Sequence, residues 1–145
     1  MKKFFYLFAL VAAMTLSACG GKKAVPQEIQ DLTEVLKTHF DEQAGEEIKS
    51  SDAYVEDDNI ICVLVLNEDM MEGKTLRSYF SDQGVDPDMF CNLMKAQILN
   101  NDIRHPERIK PLKEHKYNIV FRFVGSNSGE EMEMKIGYDE LPDVE

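Results

Sequence analysis

Tryptophan is absent from this 145-residue sequence, and cysteine and proline are scarce, with three and five residues. Basic side chains are few as well: 16 Lys and Arg face 27 Asp and Glu, so the formal net charge is −11. A globular chain this acidic repels the phosphates of nucleic acid, which argues against a nucleic-acid partner. The sequence also lacks internal repeats, low-complexity tracts and, beyond its N-terminus, any apolar run long enough to cross a bilayer.

The longest apolar run of the sequence lies at its N-terminus. A lysine pair precedes the 13 residues 4–16, and the run ends in Leu16-Ser17-Ala18-Cys19. Thirteen residues are too few for a transmembrane helix but are typical of a cleaved signal peptide. This order of charge, apolar run, small residues and cysteine resembles the precursors of bacterial lipoproteins. An ordinary signal peptide followed by a chance cysteine is the alternative.

The resemblance implies a lipid-anchored protein. In that family a diacylglyceryl group is attached to the cysteine sulfur, here that of Cys19. The signal peptide is then cut between Ala18 and Cys19, and the new amine is often acylated, with palmitate for example. The domain organisation implied is a removed signal peptide at 1–18, a lipidated cysteine with a short tether at 19–25, and one domain at 26–145.

The residue after the cysteine bears on where such a protein lies. In Gram-negative lipoproteins an aspartate at this position marks retention at the inner membrane, and this chain has Gly20. The resemblance therefore favours the outer membrane, and the lack of an acidic run after Cys19 favours its periplasmic face. Neither inference holds for a Gram-positive host. The expected partners are the membrane, through the lipid on Cys19, and an unidentified envelope protein or polymer.

The remaining residues predict one α+β domain. Apolar residues make up 43% of the whole chain, which is too many for a disordered protein. Hydrophobic periodicity and turn residues predict an order of helix, hairpin, two helices, loop and hairpin. The expected segments are helices at 26–43, 74–82 and 86–101, strands at 52–56, 60–67, 116–125 and 130–138, and a proline-containing loop at 102–114.

This order predicts a two-layer fold with helices packed on one face of a roughly four-stranded antiparallel sheet. Ile60–Leu66 does not alternate, so we expect both faces of that strand to be covered. Three apolar residues of the last strand alternate with charged ones, which indicates a sheet with one wet side: Met132, Met134 and Ile136. The layout is similar to that of small uncharacterised envelope lipoproteins of unknown function, a resemblance that implies no activity.

Cysteine and histidine positions indicate neither a catalytic centre nor a metal site. With Cys19 lipidated, Cys62 and Cys91 remain, and they form either a disulfide worth about 3 kcal/mol or two separate buried thiols. No cysteine-protease signature surrounds them, and the three histidines lack metal-ligand spacing. We therefore expect no catalytic residues, no metal and no cofactor.

Two charged segments call for an interpretation. Asp82, Asp86 and Asp88 depart from the calcium-loop pattern, so helix capping explains them better. The segment 104–116 carries a local excess of positive charge. It could face the bilayer, an anionic glycan or an acidic partner, but neutralisation of the domain's own acids, such as Glu130, is the favoured explanation. Its basic residues are Arg104, Arg108, Lys110, Lys113 and Lys116.

The sequence thus leads to a non-enzymatic binding or structural module anchored in the cell envelope. A small hydrolase is an alternative if polar residues that are distant in sequence meet in three dimensions. A small-ligand-binding domain is another alternative, and it requires an apolar cavity. The paired methionines Met70 and Met71, between acidic residues in an expected loop, are candidates for exposure to a partner.

Overall fold

The computed structural model of the protein describes residues 24–101 and 104–143. Within these ranges the chain forms four α-helices, four β-strands and two short 3-10 turns, Glu68–Met70 and Tyr138–Glu140. None of the helices in these ranges is long and apolar enough to span a membrane. In chain order the elements are α1 (Gln27–Glu42), β1 (Ile48–Glu56), β2 (Asn59–Leu66), α2 (Leu76–Asp82), α3 (Pro87–Asn101), α4 (Pro106–His115), β3 (Asn118–Gly125) and β4 (Glu131–Ile136).

The four strands form one mixed sheet in the order β1-β2-β3-β4. The two hairpins are antiparallel, as predicted, but β2 and β3 pair in parallel, with Cys62 opposite Phe121. The prediction of an antiparallel sheet is therefore wrong at its centre. The physical reason is the connection 67–117, whose three helices carry the chain back to the end of the sheet from which β2 starts.

Helices α1 and α3 contact the same face of this sheet. The ring of Phe40, on α1, lies 5.6 Å from that of Phe121, and the ring of Phe90, on α3, lies 5.1 Å from that of Phe123. Apolar residues of α1 recur every three or four positions, which explains both the predicted helix and its buried stripe. The buried apolar residues of that stripe are Ile29, Leu32, Leu36 and Phe40.

Helix α4 occupies the segment that was predicted to be a loop. Pro106 sits in its first turn, where a missing N–H costs nothing, and Pro111 lies inside the helix. Ile109 and Leu112 are both buried, and the burial of two aliphatic side chains outweighs the lost hydrogen bond at Pro111. The helix ends at Lys116, which adopts the left-handed conformation with φ 57°.

The apolar residues of α3 are only partly buried. Phe90 and Ile98 are buried and Met94 is partly buried, whereas Met89 and Leu93 are 47% and 60% exposed. Residues 90, 94 and 98 follow one ridge of the helix at four-residue spacing, and residues 89 and 93 follow the neighbouring ridge. Only the first ridge turns towards the sheet.

The opposite face of the sheet is apolar at its centre and charged along β4. Ile61 and Val120 are buried there, whereas the side chains of β4 on this face are exposed, as the predicted wet side requires. Arg122 donates hydrogen bonds to the Tyr54 hydroxyl at 3.2 Å and to the Glu133 carboxylate at 3.3 Å. This chain of polar groups joins β1, β3 and β4 across the face.

A buried carboxylate ties three parts of the fold together. Glu68 is 2% exposed and accepts four hydrogen bonds. The donors are the backbone N–H of Leu76 at 2.6 Å, of Asn127 at 2.7 Å and of Ser128 at 2.6 Å, and the Ser128 hydroxyl at 2.7 Å. The carboxylate therefore holds the start of α2 against the β3–β4 turn.

The electrostatics of this clamp favour the charged form of Glu68. Burial by itself raises the pKa of the carboxyl, but the hydrogen bonds from Ser128, Asn127 and Leu76 outweigh burial and hold the pKa below its usual range. Gly125 is required beneath the carboxylate, because a Cβ at that position would lie 2.5 Å from its carbon. Glycine therefore permits a close approach that any other residue would block.

We expect Glu68→Gln to lower the free energy of unfolding at neutral pH by about 2–4 kcal/mol. The reason is that the NH₂ group of the amide would lie against hydrogen-bond donors that now bond to a carboxylate. The measurement is urea unfolding of the lipid-free mature chain, defined as residues 19–145 with Cys19→Ser. The pKa of Glu68 is lower in the folded state than in the unfolded chain. Its contribution to stability is therefore fully present above the pKa of the unfolded chain and is lost as the pH falls through the pKa of the folded state. The variant should thus lose less stability on acidification.

Glu72→Gln is the matched control for this substitution. The Glu72 side chain is 79% exposed and its ion pair with Lys74 spans 3.9 Å, so its loss should cost less than about 0.5 kcal/mol. Equal destabilisation by the two variants would contradict the clamp.

Candidate functional site

The main concave feature among the described residues is an apolar cavity of about 560 Å³. It lies where β2 ends, between the end of α1, the Glu68–Met70 turn, α2 and α3. Its floor consists of buried side chains from four different elements and from Met71, which follows the Glu68–Met70 turn. These are Phe40, Leu64, Met71, Phe90, Ile98 and Phe123.

Aromatic rings form a continuous wall on the α2–α3 side of the cavity. The ring of Phe80 lies 5.5 Å from that of Tyr79 and 4.5 Å from that of Phe90, which in turn contacts Phe123. Tyr79 and Phe80 are only partly buried, and so are Met94 and Leu66 beside them. Flexible methionine and offset aromatic side chains can adapt to ligands of irregular shape.

The mouth of the cavity is formed by its exposed lining residues, Gln43, Glu47, Met70 and Gln97. The Gln43 amide hydrogen-bonds the His39 ring at 3.1 Å. In contrast, the Glu47 carboxylate has no hydrogen-bond or ion-pair partner in the part of the chain that the structure describes. Of the described residues that line the cavity, none is Lys, Arg or His. The mouth thus carries negative charge only.

Local capping positions the two helices that flank the cavity. Thr75 and Ser78 form a reciprocal capping box at the start of α2, and Glu68 accepts the Leu76 N–H of the same turn. At the start of α3 the Asp86 carboxylate accepts the Met89 N–H at 2.8 Å, as the capping interpretation predicted. Asp82 forms an ion pair with Lys74 at 2.8 Å. These acidic residues therefore make local contacts at the ends of the helices.

Both cysteines within the described ranges are free thiols, as in the second of the two predicted alternatives, but only Cys62 is buried and Cys91 is partly exposed. Cys62 is buried on β2, whereas the Cys91 thiol donates to the Glu133 carbonyl of β4 at 3.6 Å. Two strand spacings of about 4.8 Å each separate β2 from β4, which exceeds the reach of a disulfide. Burial raises the pKa of Cys62 to about 12, and burial followed by the charge of Asp88 raises that of Cys91.

The basic segment predicted as a loop lies on α4 and at its ends. Lys113 pairs with Asp143 at 2.6 Å and Lys110 with Glu114 at 3.9 Å, so local acids neutralise part of its charge. Glu130, named among the expected partners, instead accepts the Arg77 N–H at 3.0 Å. Arg104 and Lys116 are exposed, and Arg108 is partly buried.

One group of potential metal ligands occurs among the described residues. Glu28 of α1 and Glu114 and His115 of α4 bring one ligand atom each to within 4.8 Å of one another. The His115 Nε2 lies 3.2 Å from the Glu28 carboxylate, 87 positions away in sequence, so spacing in the sequence could not reveal the group. Both glutamates are exposed, and the contact joins α1 to α4 as an ordinary ion pair does.

The lipidation and cleavage positions Ala18 and Cys19 lie outside the described residues, as do the signal peptide at 1–18 and the tether up to residue 23. The membrane anchor therefore stays a prediction from the sequence. Met70, at the mouth of the cavity, is exposed as predicted for a partner-binding residue, but Met71 is buried.

Comparison with known proteins adds little to this description. No family model matches the chain, and no curated protein sequence is significantly similar to it. A candidate secreted protein from Pseudomonas aeruginosa, known from its crystal structure, is similar at 12% identity with a TM-score of 0.45. The similarity covers 81% of this chain and 98% of that one.

We expect alkylation to distinguish the two thiols in the lipid-free mature chain. Iodoacetamide at about pH 8 should modify Cys91 in the folded protein and Cys62 only in urea, because thiolate formation and access are both suppressed at the buried site. The readout is the intact mass over time. Cys91→Ser should abolish labelling of the folded chain, and an unlabelled chain lighter by two hydrogens would instead demonstrate a disulfide.

Proposed function

We propose that the protein is a lipid-anchored envelope protein whose domain binds a small, largely apolar molecule without chemically changing it. The cavity is the observation that carries the binding part of this proposal. Its volume of about 560 Å³ falls within the range of small-ligand sites, and most of its wall is aliphatic, aromatic or methionine. A few polar groups at one end are also typical of such sites and would orient a ligand.

The position of the cavity supports this proposal. Parallel β2 and β3 end beside each other, and the polypeptide leaving β2 turns away through Glu68–Met70. The cavity lies beside this end of β2, between the sheet and the helices, and ligand pockets are commonly found between such elements. The clamp at Glu68 fixes one side of the cavity by holding the start of α2 to the β3–β4 turn.

The state of the thiols supports binding rather than covalent catalysis. A cysteine nucleophile needs a thiolate and a neighbouring base, whereas Cys62 is buried with its pKa raised to about 12. The cavity wall carries a single carboxylate, Glu47, and the other titratable side chain among its described residues is the phenol of Tyr79. The hydrolase alternative receives no comparable support.

The anchor rests on the sequence Leu16-Ser17-Ala18-Cys19 and its resemblance to lipoprotein precursors. Two or three acyl chains hold a protein stably at a membrane without a transmembrane helix. A tether ending near residue 25 reaches only about 20 Å when extended, which would keep the domain close to the bilayer surface. We place the protein at the outer membrane, on its periplasmic side.

Replacing Cys19 by Ser in the full-length precursor should move the protein from the membrane pellet to the soluble fraction or leave it as uncleaved precursor, because no sulfur remains to be lipidated. Cell fractionation and the mass of the N-terminal peptide measure the result. Cys91→Ser serves as the control and should leave fractionation unchanged. A processed Cys19→Ser protein that stays in the pellet would contradict the anchor.

The cavity should bind the neutral fluorescent probe N-phenylnaphthylamine, and primary alcohols should displace it from the lipid-free mature chain. We expect affinity to rise roughly fourfold per added methylene, because burying one contributes about 0.8 kcal/mol. Met94→Trp, which fills the cavity from α3, should weaken binding at least tenfold. Met89→Trp, on the outward ridge of the same helix, is the matched control. Similar affinities of the two variants would contradict binding in the cavity.

A further inference from the structure

We propose that the natural ligand of the cavity is an amphipathic cation, with a single apolar tail in the cavity and a positively charged head at Glu47. This inference rests on the proposed function and adds the charge of the ligand. Three observations carry it: the sign of the charge at the mouth, the absence of a counter-charge in the described wall, and the pairing of the lysines nearby.

The mouth presents a carboxylate that nothing in the described chain neutralises. Glu47 is exposed, lines the cavity and makes no ion pair within the described ranges. The short connection from α1 to β1 that contains it, residues 43–47, holds two acidic residues, Glu46 and Glu47, and no basic one, and α1 ends in Asp41 and Glu42. A cationic head at this position would gain attraction from several charges at once.

Three lysines on the neighbouring elements already form ion pairs. Lys49 of β1 pairs with Asp69 at 2.9 Å, Lys74 before α2 pairs with Asp82 at 2.8 Å, and Lys95 of α3 pairs with Glu140. An anionic head, such as the carboxylate of a fatty acid, would therefore meet Glu47 while each of these three lysines is already in an ion pair. The same geometry that accepts a cation disfavours an acid of equal tail length.

The aromatic wall of the cavity also favours a positively charged ligand. Tyr79 and Phe80 are partly exposed at the cavity, and the faces of their rings carry negative charge density. A quaternary or primary ammonium group can rest against such rings while its alkyl tail lies deeper among Phe90, Ile98 and Leu64. Rings that line the same cavity as Glu47 thus also favour a cation.

The test compares three ligands with the same ten-carbon tail: decyltrimethylammonium, decanol and decanoate. Each displaces N-phenylnaphthylamine from the lipid-free mature chain at neutral pH, below its micelle concentration. We expect the cation to bind about five- to tenfold more tightly than decanol, and decanoate more weakly than decanol by a similar factor. The differences in affinity among the three ligands should become smaller at high salt, because exposed charges are screened.

Glu47→Gln should reduce the advantage of the cation over decanol to about twofold and leave decanol binding unchanged. Glu56→Gln is the matched control: it removes the same charge at the far end of β1, where Glu56 is also exposed. Circular dichroism of both variants verifies that they fold.

The outcomes separate the two proposals. If none of the three ligands displaces the probe, or the probe itself does not bind, the proposed function fails. If all three bind equally well, or decanoate binds most tightly, binding in the cavity stands and the cationic ligand is overturned. If Glu47→Gln and Glu56→Gln change the preference equally, the assignment of the head group to Glu47 is overturned.

Discussion

The burial of one carboxylate links the end of β2, the start of α2 and the β3–β4 turn. Glu68 leaves water completely, so each of its oxygens has to find donors, and these come from the first turn of α2 and from the β3–β4 turn. Its position directly after β2 therefore determines where the chain leaves the sheet. Because α2 is held at the sheet edge by polar bonds, the centre between α1, α2 and α3 is not filled by side chains. The cavity is the space that results.

Much of the fold follows from patterns that are local in sequence. Helix α1 and the two hairpins are predictable because apolar spacing and turn residues act over fewer than ten positions. The parallel pairing of β2 and β3 is not predictable in this way, since it depends on how three helices return the chain. The loop predicted where α4 lies is an error of a different kind. Two prolines favoured the prediction of a loop, although two apolar residues of the same segment, Ile109 and Leu112, anchor a helix.

The candidate site lies beyond local patterns for the same reason. A cavity is a shortfall in packing between elements, and no residue type marks it in advance. The role of Glu68 is hidden as well, because a Glu-Asp pair after a strand is typical of a solvated turn, and its donors come from residues as far as 60 positions away. Only Met70 stood out, through its unusual place among acidic residues. The lipid anchor shows the reverse case: it is read entirely from sequence and lies outside the described residues.

The parallel pair has a further consequence for how the chain acquires its structure. Both hairpins are local and can form early, but β2 gains its neighbour β3 only after residues 67–117 have been synthesised and folded back. Until then Ile60, Cys62 and Leu64 present an unpaired apolar strand edge, which is prone to aggregation. Folding of the chain therefore favours a chaperone that protects β2 until the second hairpin has been synthesised.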